Sequence, residues 1–314
     1  MDKRTTATTL GFRSSDGASA IKATLWEGAA ASRPRAIVQI VHGMSEHIGR
    51  YDDFARHLAQ RGYVVCGEDH IGHGRSAQGD ERLGCLPPDG KEMLIADVHE
   101  LRRTVAARYA GQTPYVIFGH SMGSFIVRAY LARHGQGVAA AVVCGTGQQP
   151  IALSRAGNLL ARALCALKGP DHRSALIDGM GAGAYGKRIP DARTPFDWIC
   201  TDPAVVDAYI ADPWCGAMFS VGGYAALTDL TGEVAAAGCA RSAPRGLPLL
   251  FVAGDGDPVG DFGAGVRKAA AQYTAAGLAD VQVKLYAGMR HEILNEPGHE
   301  QVYADVERWM EERL

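Results

Sequence analysis

The chain has 314 residues, enough for one large domain or two modest ones, with 47% apolar and 21% charged residues. A formal net charge of −2 lacks the broad positive field that nucleic-acid binding requires. Seven cysteines, an odd number with no C-x-x-C pair, read as reduced and mostly buried thiols, not as a disulfide framework or zinc site. The first residues lack the apolar core of a secretory signal, and no run approaches the roughly 18 apolar residues of a membrane span. These features predict a soluble, cytoplasmic protein.

In chain order, residues 20–26 alternate like a strand, and 36–41 (AIVQIV) form a short apolar run suited to a buried parallel strand. Helical spacing over 51–61 precedes a strand at 62–67, and a long helix is predicted over 89–110. The run at 115–118 (YVIF) is another buried strand, followed by a helix through Tyr130 and a strand at 138–144. This alternation predicts a mostly parallel sheet with helices on both faces. The pattern breaks from about residue 148 to 238, where an amphipathic stretch (151–167) and a glycine-rich run (179–186) replace strands. Sheet logic resumes at 247–253, continues through a helix at 260–276 and a strand at 281–286, and closes in a helix through Trp309. The expected organisation is therefore a core, 1–147 and 239–314, with an inserted helical cap, 148–238.

The strongest chemical signal is Gly119-His120-Ser121-Met122-Gly123, a G-x-S-x-G sequence between the strand YVIF and a helix. A sharp strand-to-helix turn exposes the Ser121 hydroxyl, and crowding leaves room only for glycine two residues to either side. A serine needs a base, and the base an orienting acid. His291 follows a predicted strand and a glycine loop, which puts it at the same sheet edge as Ser121, whereas His299 heads into a surface helix. The acid comes from Gly254-Asp255-Gly256-Asp257-Pro258. Asp257 is favoured, Asp255 stays a candidate, and Asp261 is a weaker third, since each alone could simply cap a turn. Two backbone N–H groups are expected to stabilise an oxyanion, those of Met122 and Met44. His42 is read as supporting that second loop. The two histidines of Asp69-His70-Ile71-Gly72-His73 are read as tying down a loop, not as metal ligands. No phosphate-binding glycine loop is present.

The segments HGMSEHIGRYDDFA, DHIGHGRS, GHSMGS, GDGDPVG and YAGMRHEILNE together resemble the monoacylglycerol lipase and lysophospholipase (serine aminopeptidase-like) group of α/β-hydrolases. They run in that group's order and span most of the chain outside 148–238. The resemblance implies an α/β-hydrolase core, an inserted cap, no cofactor and no metal, and hydrolysis of monoacylglycerols, lysophospholipids or related esters. It maps the triad onto Ser121, Asp257 and His291 and the oxyanion hole onto Met44 and Met122. The same triad could serve a peptide, thioester or carbon–carbon bond, and a non-catalytic ligand-binding member is a third reading. The apolar face of 151–167 is either packing over the site or a transient contact with a membrane or micelle.

Overall fold

The computed structural model describes residues 5–28, 33–109 and 113–314. Its single sheet has eight strands: β1 (Thr5–Arg13), β2 (Ala20–Gly28), β3 (Ile37–Val41), β4 (Val64–Asp69), β5 (Tyr115–His120), β6 (Ala140–Cys144), β7 (Leu249–Gly254) and β8 (Val281–Tyr286). They lie in the order β1-β2-β4-β3-β5-β6-β7-β8. β1 and β2 are antiparallel to their neighbours, and the other pairings are parallel.

Period-two geometry divides each central strand between two cores. Val116 and Phe118 of β5 face α1 (Asp52–Ala59) and α10 (His299–Glu311), whereas Ile117 faces α2 (Gly90–Ala106), α3 (Met122–His134) and α9 (Ala264–Ala275). Both faces of β3 to β7 are thus buried, which is why these strands are mostly apolar; the polar exceptions, Gln39, Glu68, Asp69 and His120, are buried as well. Each fully buried Ile, Val or Phe contributes about 1.5–3 kcal/mol. β1 lies outside the expected strands. It is an edge strand of mostly exposed residues, TTATTLGFR, stabilised by threonine's β preference and its ladder to β2 instead of by burial.

Between β6 and β7 run α4 (Ile151–Lys168), α5 (Ala175–Met180), a 3-10 turn (Ala182–Arg188), α6 (Pro203–Ala211), α7 (Val221–Ala235) and α8 (Ala237–Ser242). No strand interrupts them. α7 packs against α4 on one side and against α2 and α3 on the other, and α8 lies on α3 and α9. The expected boundary at 238 lies within α8.

Arg128, on α3, is fully buried. Its guanidinium donates to Thr146 Oγ1, Gly147 O, Gln148 Oε1 and Val234 O. None of these partners is a carboxylate. Burying a charge is costly unless hydrogen bonds compensate it. Here both terminal nitrogens are satisfied, while Nε has no partner among the described residues. The acceptors come from both places where the chain passes between sheet layer and insertion. One side chain on the helix after Ser121 thus ties down both ends of the inserted segment.

Candidate active site

Ser121 ends the turn between β5 and α3 with φ +53° and ψ −122°, a backbone conformation costly for a side-chain-bearing residue. The turn is enforced by contact. A Cβ on Gly123 would lie 2.0 Å from Val41 O, and one on Gly119 would lie 2.4 Å from Gly123 O. Ser121 N–H donates to Cys144 O on the neighbouring strand (3.0 Å), and Ser124 Oγ donates to Ser121 O (2.6 Å).

His291 and Asp257 come from the loops after β8 and β7. His291 Nδ1 lies 2.9 Å from Asp257 Oδ2, and both residues are buried. Asp257 Oδ1 accepts from Val259 N–H (2.8 Å), so both carboxylate oxygens are engaged and their orientation is fixed. His291 Nε2 is buried and has no hydrogen-bond partner among the described residues, while its ring and Ser121 line the same cavity. Asp255 instead accepts from Gly288 N–H at an exposed position (2.7 Å), and Asp261 pairs with Arg188 at the surface. The structure therefore brings Ser121, His291 and Asp257 to one site and leaves Asp255 and Asp261 outside it. His299 starts α10, with Nδ1 against Glu296 O.

Met44 and Met122 both line the cavity beside Ser121. The chain at Gly43 passes so close that a Cβ there would meet Ser121 Cβ at 3.0 Å and Glu46 Oε1 at 2.6 Å. His42 supports this loop: Nδ1 contacts Gly43 O (2.8 Å) and Nε2 accepts from His70 N–H (3.0 Å). Burial, with His70 and His73 nearby, holds its pKa well below the ordinary value, so the ring is neutral. Burial also lowers His73 to about 4. Both nitrogens of His42 are spent on the backbone, which agrees with a loop-supporting role.

A polar network behind the site was not singled out from the sequence. Glu46 Oε1 accepts from Gly43 N–H (2.6 Å) and Tyr51 Oη (2.8 Å), and its Oε2 accepts from Arg50 (3.0 Å). His120 Nδ1 contacts Tyr51 Oη (2.8 Å) and its Nε2 contacts His291 O (3.2 Å). Burial opposes charge on His120, but Glu46 outweighs it and raises the pKa. Burial likewise disfavours the Glu46 carboxylate, yet His120 and Arg50 hold its pKa well below the usual range. A protonated His120, donating to Tyr51 and to His291 O, satisfies every group. The signal was present in HGMSEHIGRY, where a glutamate, an arginine and a tyrosine fall within seven residues of Met44.

The cavity is about 300 Å³. Its walls are mainly apolar: Tyr185, Phe196, Trp198, Met218 and Leu227 come from the insertion, and Phe125 and Val259 from outside it. Trp198 lies against the His291 ring with centroids 5.0 Å apart, and His120 lies 4.6 Å from the same ring. No residue of α4 lines the cavity. The apolar stripe, read as either packing over the site or a transient lipid contact, packs partly on α7, and Leu153, Leu159 and Leu167 are 57%, 73% and 81% exposed. The glycine-rich run 179–186 spans the end of α5 and the 3-10 turn, with Gly186 against Pro195, and its residues Gly181 to Gly183 and Tyr185 line the cavity.

The sheet order, the strained serine turn and loops carrying an acid and a histidine after β7 and β8 define an α/β-hydrolase. Residues 32–298 match the family described as serine aminopeptidase, S33, and the chain belongs to that family. A monoacylglycerol lipase of Mycolicibacterium smegmatis is 31% identical over 293 residues, 90% of each chain. The crystal structure of a thermostable carboxyl esterase from Bacillus coagulans, in complex with glycerol, superposes with a TM-score of 0.91 at 30% identity over 98% of each chain. A soluble variant of the Saccharomyces cerevisiae monoglyceride lipase shares the fold at 18% identity, with a TM-score of 0.76 over 98% of this chain and 94% of that one.

Proposed function

We propose that this carboxylic ester hydrolase cleaves single-chain acyl esters, monoacylglycerols or lysophospholipids, through a covalent acyl-enzyme on Ser121. The observation carrying this reading is a mainly apolar cavity lined by both Ser121 and His291. Ser121 attacks the ester carbonyl while His291 Nε2 takes its proton. Asp257, bonded to Nδ1, holds the tautomer and stabilises the imidazolium. The amides of Met44 and Met122 receive the oxyanion, each worth about 3 kcal/mol in comparable sites. His291 then protonates the leaving alcohol, and water repeats the sequence on the acyl-enzyme.

In this reading, residues 148–238 act as the specificity cap. The exposed leucines of α4 give that cap a surface for transient contact with a micelle or membrane; no helix among the described residues is long and apolar enough to cross one. The experiment is a panel of monoacylglycerols, lysophospholipids and p-nitrophenyl esters of graded chain length, with Ser121→Ala as control. Rates that peak on single-chain esters support the reading. Preference for a peptide or thioester would overturn the substrate assignment, and turnover surviving in Ser121→Ala would overturn the nucleophile.

A further inference from the structure

We propose that His47, Asp212 and Cys215 form a binding site for a zinc-class divalent cation that clips the inserted segment to the loop carrying Met44. His47 Nε2 lies 2.9 Å from Asp212 Oδ2. With Cys215 Sγ, the three ligand atoms all fall within 4.8 Å of one another, and all three residues are half-buried, open to an ion from solvent. Mixed nitrogen, oxygen and sulfur donors suit zinc over magnesium or calcium. Three protein ligands leave a fourth position for water.

The surroundings already orient the donors. Trp214 N–H donates to Asp212 Oδ1 (2.9 Å), leaving Oδ2 facing the histidine. Cys215 N–H donates to Asp212 O (3.1 Å), so both ligands sit on one tight turn. The Trp214 ring stands edge-on to His47 at 5.2 Å and limits its rotation. The nearby cation, Arg50, is paired with both Glu46 and Glu292, so with Asp212 the neighbourhood carries an excess of negative charge.

Without metal, the His47 ring proton sits on Nε2 and is donated to Asp212. Coordination moves that proton to Nδ1, gives up the long 3.2 Å contact from Gly49 N–H, and releases the Cys215 thiol proton to solvent. One proton leaves per ion, so affinity rises about tenfold per pH unit while the thiol is protonated.

The clip would join elements already in contact. Tyr209 Oη and Gly216 N–H both donate to Ser45 O at 2.9 Å, and Ser45 Oγ donates to Ala217 O (2.6 Å). Any effect on turnover rests on the reading of Met44 as an oxyanion donor. Binding itself does not.

The test uses the full chain, stripped with chelator and titrated with Zn²⁺ against a chromophoric chelator, and with Co²⁺ by absorption. One ion per chain is expected, with a thiolate-to-cobalt charge-transfer band and a raised thermal midpoint. Cys215→Ser and Asp212→Asn should abolish all three signals, whereas Cys165→Ser, at another partly exposed thiol, should keep them. Absence of binding in the wild type, or an undiminished cobalt band in Cys215→Ser, overturns the proposal. Ester turnover of metal-free Cys215→Ser should equal that of metal-free wild type. Because cobalt binding is read without turnover, failure of the esterase reading would be seen separately.

Discussion

Arg50 grips Glu292 with both arms of its guanidinium, Nη1 at 2.5 Å from Oε1 and Nη2 at 2.7 Å from Oε2. Glu292 follows His291 in the chain, and the same Nη1 reaches Glu46, which holds Gly43 N–H. One side chain therefore fixes the distance between the histidine loop and the loop proposed to supply an oxyanion donor. A lysine keeps the charge but cannot make a two-pronged bond. Arg50→Lys should lower kcat by about 10²-fold, the cost of a displacement on the order of 1 Å between reacting groups, with short and long esters affected alike. Stopped-flow acylation of a p-nitrophenyl ester measures this, and an unchanged acylation rate would dismiss the positioning role.

Asp257 and Asp255 stand two residues apart in very different surroundings. Asp257→Asn should reduce kcat by roughly 10⁴-fold by stabilising the wrong histidine tautomer. Asp255→Asn alters only a surface turn and should cost a few-fold at most. Fluorophosphonate labelling of Ser121 in each variant provides a second readout. The reverse order of losses would move the acid to Asp255.

The buried His120–Glu46 pair gives stability a defined pH window. His120 has a raised folded pKa, so its contribution is complete below the ordinary value of 6.5 and is lost as pH rises through the raised value. Glu46 has a depressed folded pKa, so its contribution is present above 4.5 and is lost as pH falls through the lowered value. The stabilisation relative to His120→Gln should therefore be greatest between these ordinary values and shrink toward alkaline pH. Urea midpoints measured at pH 5.5, 7 and 9 test it. A difference independent of pH would mean that His120 is neutral throughout.

What the sequence disclosed follows from how local each signal is. The serine turn was legible because strand, glycines and helix are contiguous from Tyr115 to His134, and the paired loops because each follows an apolar strand. The Glu46–Arg50–Glu292 network was not, because Glu292 lies 242 residues from Arg50 and charge pairing at that separation leaves no periodicity. Arg128 was hidden for a related reason: a lone arginine in an apolar helix reads as a solvated position until the tertiary fold surrounds it. The stripe of α4 left its partner open. Helical spacing reveals an apolar face but not its partner, and here that face is divided between α7 and solvent.

Replacing Arg128 tests whether the two ends of the insertion are held by one residue. Arg128→Met keeps length and removes every donor, leaving Gly147 O and Val234 O buried beside an apolar chain. Leaving buried acceptors without a donor in this way costs about 1–3 kcal/mol. The urea midpoint should fall with little change in slope, and hydrogen exchange should quicken at 146–148 and 234–236 before the rest of the sheet. Uniform loss of protection across the molecule would show a core defect instead of a loosened attachment.

Acyl specificity should follow the residues that face the cavity, not those of the exposed stripe. Leu227 on α7 lines the cavity and is partly buried against the core. Leu227→Trp would fill space that a hydrocarbon chain otherwise occupies. Each methylene excluded should cost about 0.8 kcal/mol, roughly fourfold in kcat/KM. Acetate esters should then be hydrolysed at near wild-type rates while decanoate esters fall by one to two orders of magnitude, an order-of-magnitude range from the same increment. Leu159→Asp, on a residue 73% exposed and remote from the cavity wall, should leave both soluble esters unchanged. It should instead weaken turnover of a monoacylglycerol presented in vesicles, because it removes apolar surface available to the lipid. Equal losses on short and long soluble esters in Leu227→Trp, with the fold intact, would make the insertion a scaffold. A vesicle effect no larger than the effect on monomeric substrate in Leu159→Asp would remove α4 from the lipid contact.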